Sequence, residues 1–151
     1  MLFHNRHGET FEPVDWGLND PQSGRGMSMA DFNNDGRLDV VINPLNASAM
    51  VYENTFCRGQ SIRIKLIDTS VANQAAIGAT IRVHVGNQIY TRTVTAISGY
   101  LSGDDTVVHV GIGDASRIDN IVVIWPDGNA SEIDAQPVNA TITITRGGED
   151  G

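Results

Sequence analysis

The sequence predicts an all-β protein, and three observations carry that expectation. Sixteen glycines and many Thr, Val and Ile residues accompany few long helix formers, a composition that suits strands and tight turns. At least six segments after residue 58 read as strands at regular spacing, with turn signals between them. The short pattern Met1-Leu2-Phe3-His4-Asn5 recurs 49 residues later as Met50-Val51-Tyr52-Glu53-Asn54. A period of ~40–50 residues suggests a repeated β unit such as a propeller blade.

On that period, residues 1–14 are the tail of one unit and residues 26–57 most of the next, with Gly8 to Val14 as the tail's last strand. Trp16 to Gly26, rich in Gly and Pro, reads as a loop. Met27 to Phe32 alternates as a strand can, Val40-Val41-Ile42 is β-branched, and Pro44 to Ala49 is a turn between strands. From Gly59 the texture changes. Ile62 to Ile67 and Thr80 to Val85 alternate cleanly, half-buried, with basic residues outward. Val71 to Ala76 is the one helical candidate, a short turn. Gly86-Asn87 makes a hairpin turn into Gln88 to Val94. Val107, Val108 and Val110 form a further strand, and Gly111-Ile112-Gly113 reads as a tight turn. Ile121 to Trp125 is a continuous apolar run, which suits a central strand. Pro126 to Asn129 is a turn. Ala130 to Ala135 and Ala140 to Thr145 complete a sandwich or barrel.

The stretch with chemistry is Asp31-Phe32-Asn33-Asn34-Asp35-Gly36-Arg37-Leu38-Asp39. Its side-chain oxygens fall on Asp31, Asn33, Asp35 and Asp39, at positions 1, 3, 5 and 9, with Gly36 at position 6 and the Arg37 carbonyl at position 7. Ca²⁺ takes about six to eight oxygens at ~2.3–2.6 Å, and a glycine allows the sharp turn around it. A solvated acidic turn needs only Asn34-Asp35-Gly36, whereas alternating oxygens around one glycine are what calcium loops share. Position 12 is Ile42, where an EF-hand needs a bidentate Glu, so this loop joins two strands rather than two helices. A bound ion would neutralise three carboxylates that otherwise crowd one turn.

The net charge of −8, with Lys65 the one lysine, disfavours nucleic acid and anionic membrane as partners. The acid is uneven: residues 1–57 hold eight acidic and three basic side chains, residues 58–115 four and five, and residues 116–151 six and two. Cys57 alone excludes an internal disulfide and a cysteine-based zinc site. No stretch approaches the ~18 apolar residues of a membrane span, so membrane insertion is not expected. No signal-peptide pattern opens the sequence, so a longer parent protein is expected. His4 and His7 suit a surface near the start, while His84 and His109 sit among apolar strand residues, the usual place of structural histidines. Neither His-Glu-x-x-His nor Gly-x-Ser-x-Gly occurs. Asp104-Asp105 suits a solvated loop better than an acid/base dyad, because adjacent residues point apart. Trp125 is either a core residue at a strand end or, with Tyr100, an aromatic platform for sugar; the apolar run before it favours the core.

Two neighbouring patterns resemble known families. Gly24 to Ile42, through Asp31-Phe32-Asn33-Asn34-Asp35-Gly36, resembles an FG-GAP/VCBS repeat, the propeller blade with a calcium loop of integrin α subunits and many secreted bacterial proteins. Residues from about 60 to 145 resemble the ASPIC/UnbV domain through four ordered motifs. These are Asn73-Gln74-Ala75-Ala76-Ile77-Gly78-Ala79, Ser98-Gly99-Tyr100-Leu101-Ser102, His109-Val110-Gly111-Ile112-Gly113 and Val123-Ile124-Trp125-Pro126-Asp127-Gly128. Cartilage acidic protein-like extracellular proteins share this arrangement. The resemblance implies an extracellular or cell-envelope setting and binding rather than catalysis. It implies Ca²⁺ on Asp31, Asn33, Asp35, Arg37 (by its carbonyl) and Asp39, and carries no site residue into the second part.

The expected architecture is a partial propeller-blade β-hairpin with a calcium loop over residues 1–57, packed on an antiparallel β-sandwich or barrel over residues 58–147, with residues 148–151 a disordered tail. A propeller needs about four to eight blades, so the hairpin is expected to pack on the second part, or two chains to complete each other's sheet as a homodimer. The expected function is a non-catalytic, calcium-binding adhesion module with a protein or glycan partner. A carbohydrate-binding module and an accessory domain of a larger secreted enzyme remain the alternatives.

Overall fold

The computed structural model describes residues 2–6, 8–18, 23–55, 59–97, 99–100 and 102–147. The expectations for His7, Cys57 and the tail 148–151 fall outside the described residues. All regular elements among those described are strands. Val71 to Ala76 forms turns and no helix. Asn73 accounts for this, because its Oδ1 accepts the Ile77 N–H at 3.1 Å and its amide donates to the Ile77 carbonyl at 2.9 Å. That side chain competes with helical pairing for the same backbone groups.

The first part holds two small sheets. Strands β1 (Leu2–Arg6) and β2 (Thr10–Val14) form an antiparallel hairpin. Strands β3 (Gly24–Ala30), β4 (Asp39–Pro44) and β5 (Met50–Tyr52) form an antiparallel sheet in that order. The Asp31–Asp39 loop is thus the connection between β3 and β4, as its flanking residues predict.

The second part is a sandwich of two sheets, not a closed barrel. One sheet orders β11 (Ala130–Ile133), β10 (Asn120–Ile124), β7 (Thr80–Val85) and β8 (Gln88–Thr93). The other orders β12 (Ala140–Arg146), β6 (Gln60–Asp68) and β9 (Val108–Gly113). The strand period of two places Ile62, Ile64 and Leu66 of β6 inside, facing Ile81 and Val83 of β7 and Ile121 and Val123 of β10 in one core. The continuous apolar run does form a central strand, but Val122 and Ile124 on its other face are only half buried.

Three expectations change. β12 pairs with β6 in parallel, Ile142 opposite Ile64 and Ile144 opposite Leu66, so the sandwich is not wholly antiparallel. Gly111-Ile112-Gly113 continues β9 rather than turning, because Ile112 follows Val110 into the core. Asp104 is not simply solvated. Its Oδ1 accepts the Ser28 hydroxyl at 3.2 Å, and its Oδ2 is buried without a hydrogen-bond partner.

Trp125 is a core residue, 2% exposed, and not a sugar platform, whereas Tyr100 is 70% exposed. The Trp125 Nε1–H donates to Ser131 Oγ at 2.8 Å, and the Arg146 guanidinium stacks 4.6 Å above the ring. Arg146 also joins Asp127 through Nη1 at 2.9 Å and the buried Asp68 through Nε at 3.1 Å and through Nη2. The Trp-Pro-Asp-Gly turn is therefore clamped to the ends of β6 and β12. Hydrogen bonds from Arg146 and Ser70 hold the Asp68 carboxyl below the usual range, and those from Arg146 and the Asn129 N–H lower Asp127 to about 2. Both folded pKa values lie below that of an unfolded aspartate. For Asp127 the resulting stabilisation is complete above about pH 4 and is lost as pH falls through about 2, and for Asp68 it is lost in the same direction as pH falls. The urea midpoint should therefore fall between about pH 4 and 2, and fall less steeply in Asp127→Asn.

Candidate metal centre

Strands β3 and β4 close the base of the acidic loop by pairing Ala30 with Asp39. Asn34 at φ 60° and Gly36 at φ 86° coil it left-handed, a region open to glycine and tolerated by asparagine. The coil aims the Asp35 N–H at Asp31 Oδ1 and the Gly36 N–H at Asp31 Oδ2, both at 2.9 Å. Asp35 N–H also reaches Asn33 Oδ1 at 3.1 Å, and Arg37 N–H reaches Asp35 Oδ1 at 2.9 Å. Asp31, Asn33 and Asp35 are thereby gathered on one turn.

Asp39 does a different job. It is 2% exposed, and its oxygens accept the Phe32 N–H at 3.1 Å and the Asn54 N–H at 2.8 Å. One carboxylate thus ties the start of the loop to the segment after β5.

Two guanidinium groups balance the loop's charge. Arg37 was expected to contribute only its carbonyl. Its side chain pairs with Asp35, and its Nε donates to the Asn54 carbonyl at 2.6 Å. Burial opposes the charge on Asp35, but the Arg37 N–H, the Asn33 amide and the Arg37 guanidinium outweigh it and hold its pKa below the usual value. Arg63, from β6, places Nη1 2.8 Å from Asp31 Oδ2 and 3.0 Å from Asn34 Oδ1.

The same loop joins the two parts of the chain. The Gly36 carbonyl accepts the Ser61 hydroxyl at 2.9 Å and lies 2.8 Å from His109 Nε2. Further along, the Met27 N–H donates to Ser102 Oγ at 2.9 Å. The hairpin does pack on the second part, and the loop is the wedge between them. Sequence reasoning did not find Ser61, Arg63 or His109. The alternation of β6 shows that Arg63 leaves the core, but not that a loop lies over that face.

The donor set suits a hard divalent cation: three carboxylates, an amide and a backbone carbonyl within nine residues. Cationic groups already stand on Asp31 and Asp35, where an ion's charge would be needed. Among the described residues, no three His, Cys, Asp or Glu side chains are gathered closely enough to hold a metal ion. Asp31 and Asp35 face guanidinium groups and Asp39 faces backbone N–H groups, so the carboxylates do not share one point in this arrangement.

The FG-GAP-like repeat family matches residues 1–42, and the ASPIC and UnbV family matches residues 69–150. A human relative, cartilage acidic protein 1, is 44% identical over 55 residues, 34% of this chain. Its mouse counterpart is 39% identical over 63 residues, 40% of this chain. The chain spans only 8% and 10% of the lengths of these two relatives. FG-GAP-like repeats generally bind calcium, and the two families together point to an extracellular adhesion-type module. The ASPIC and UnbV match covers more than half of the sequence and takes in every strand of the sandwich after β6; this chain belongs to the ASPIC and UnbV family.

Proposed function

We propose that this chain is a non-catalytic, calcium-stabilised adhesion module of an extracellular or cell-envelope protein. The observation that carries the reading is the acidic loop, coiled around Asp31 and wedged between blade and sandwich. Asp31, Asn33 and Asp35, with Asp39 and the Arg37 carbonyl, would hold the ion. Bound there, Ca²⁺ supplies positive charge and fixes the loop. Residues 1–57 and 58–147 act as the two units, with the loop as their joint. The first unit exposes Phe3, Phe11 and Trp16, with Met27 and Met29 on one face of the blade sheet and Val51 on the other, and such exposed apolar side chains favour a protein partner. β3 and β5 lie at the edges of the blade sheet, where a second copy could pair as a homodimer. The glycan reading retains Tyr100 but not Trp125.

The test is melting temperature against Ca²⁺ after EDTA stripping, with Mg²⁺ as control. Ca²⁺ at ~100 times its Kd adds about 2.7 kcal/mol, a rise of about 5–10 °C at this size. No Ca²⁺-selective rise would remove the calcium reading.

A further inference from the structure

We infer that Arg63 is a built-in competitor of the cation, so that the sandwich itself sets the loop's affinity for Ca²⁺. The inference rests on the calcium reading above and concerns a residue outside the loop.

Arg63 lies in β6, opposite His109 of β9 and Thr141 of β12. It therefore leaves the middle strand of its sheet and enters the loop from below. Asp31, the loop's first residue, has a side chain only 2% exposed, while that of Arg63 is 26% exposed. A carboxylate so buried needs a cationic partner, and among the described residues Arg63 supplies it. Asp31 also accepts the Asp35 and Gly36 N–H groups. Guanidinium and backbone thus occupy both oxygens of the side chain that begins the ligand set.

A divalent cation at Asp31 would meet the guanidinium as a like charge. Either Arg63 moves or the ion binds more weakly, and both outcomes lower the net affinity. The structure provides room for the movement. A cavity of about 280 Å³ lies beside the pair, bounded by Asp31, Asn34, Arg63, Asp105 and His109 among others. Asp105 on its wall offers a displaced guanidinium another carboxylate. Arg37 also neutralises the loop, but it belongs to the loop and is anchored on the Asn54 carbonyl. Arg63 ties the loop to the sandwich alongside Ser61 and His109, so its displacement offsets part of what the ion adds by fixing the loop.

The experiment is calorimetric titration of the whole chain with Ca²⁺, comparing wild type, Arg63→Gln and Arg63→Lys. Removing one unit charge from beside a divalent ion in a water-like dielectric is worth about a factor of ten. Arg63→Gln should therefore bind Ca²⁺ about tenfold more tightly, and Arg63→Lys close to the wild-type value. In EDTA, Arg63→Gln should melt below wild type, and saturating Ca²⁺ should close the gap. Equal or weaker binding by Arg63→Gln, with wild type binding normally, overturns this inference and leaves the calcium reading standing. Binding by Arg63→Gln alone upholds the inference and overturns the calcium reading for the native chain. Binding by neither overturns both.

Discussion

Replacing Trp125 by alanine is expected to destabilise the protein by about 3–5 kcal/mol, out of a total on the order of 5–15 kcal/mol. The side chain is fully inside the sandwich. Its loss leaves a cavity, removes the donor to Ser131 and takes the aromatic face from under Arg146. Arg146 in turn bridges Asp68 and Asp127, so one substitution loosens contacts at the ends of three strands. Trp125→Phe keeps an aromatic face and loses the indole N–H; it should cost about 1–2 kcal/mol. Urea unfolding of the three proteins decides the point. A Trp125→Ala cost under about 1 kcal/mol would mean that the clamp is not central to the fold.

Replacing Asp39 by alanine should cost about 3 kcal/mol, because two N–H groups lose a charged acceptor at once. Those groups belong to Phe32 and Asn54, so the loss should be seen first as faster amide exchange at these two residues. The bonds exist without an ion, so most of the loss should persist in EDTA. Asp35→Ala should behave in the opposite way. Its side chain is more exposed and forms mainly local hydrogen bonds, so in EDTA the melting temperature should hardly move. In Ca²⁺ it should fall, because linkage stabilises only the ion-bound state. If Asp39→Ala mattered only in Ca²⁺, the backbone tie would contribute nothing and Asp39 would act as a ligand alone. If Asp35→Ala cost as much in EDTA as in Ca²⁺, the loop would be a charged turn and not an ion site.

Much of the fold was legible because strand period and turn chemistry are local. The alternation of Ile62 to Leu66 places those residues in the core whatever lies across from them. Asn34 and Gly36 mark the loop's left-handed positions, and the apolar residues before Trp125 mark it as buried. The misreadings came where a local signal had two outcomes. Gly111-Ile112-Gly113 has the composition of a turn, but Ile112 belongs to the core face of β9. The Asn73 stretch has the residues of a helical turn, but its side chain takes the backbone groups a helix needs.

The candidate site divides in the same way. Spacing alone determined that Asp31, Asn33 and Asp35 share one turn, since a nine-residue loop with a glycine at position 6 can gather its own oxygens. Spacing could not show that Asp39 turns to Asn54, or that Arg63 and His109 meet the loop from another sheet. Those contacts join residues far apart in the chain, and no local pattern encodes them. The sequence by itself determined most of the strands and turns and the acidic loop that carries Asp31, Asn33 and Asp35. Only the packing of blade on sandwich decided which charges face that loop, because a buried carboxylate takes its partner from whichever element lies nearest in space.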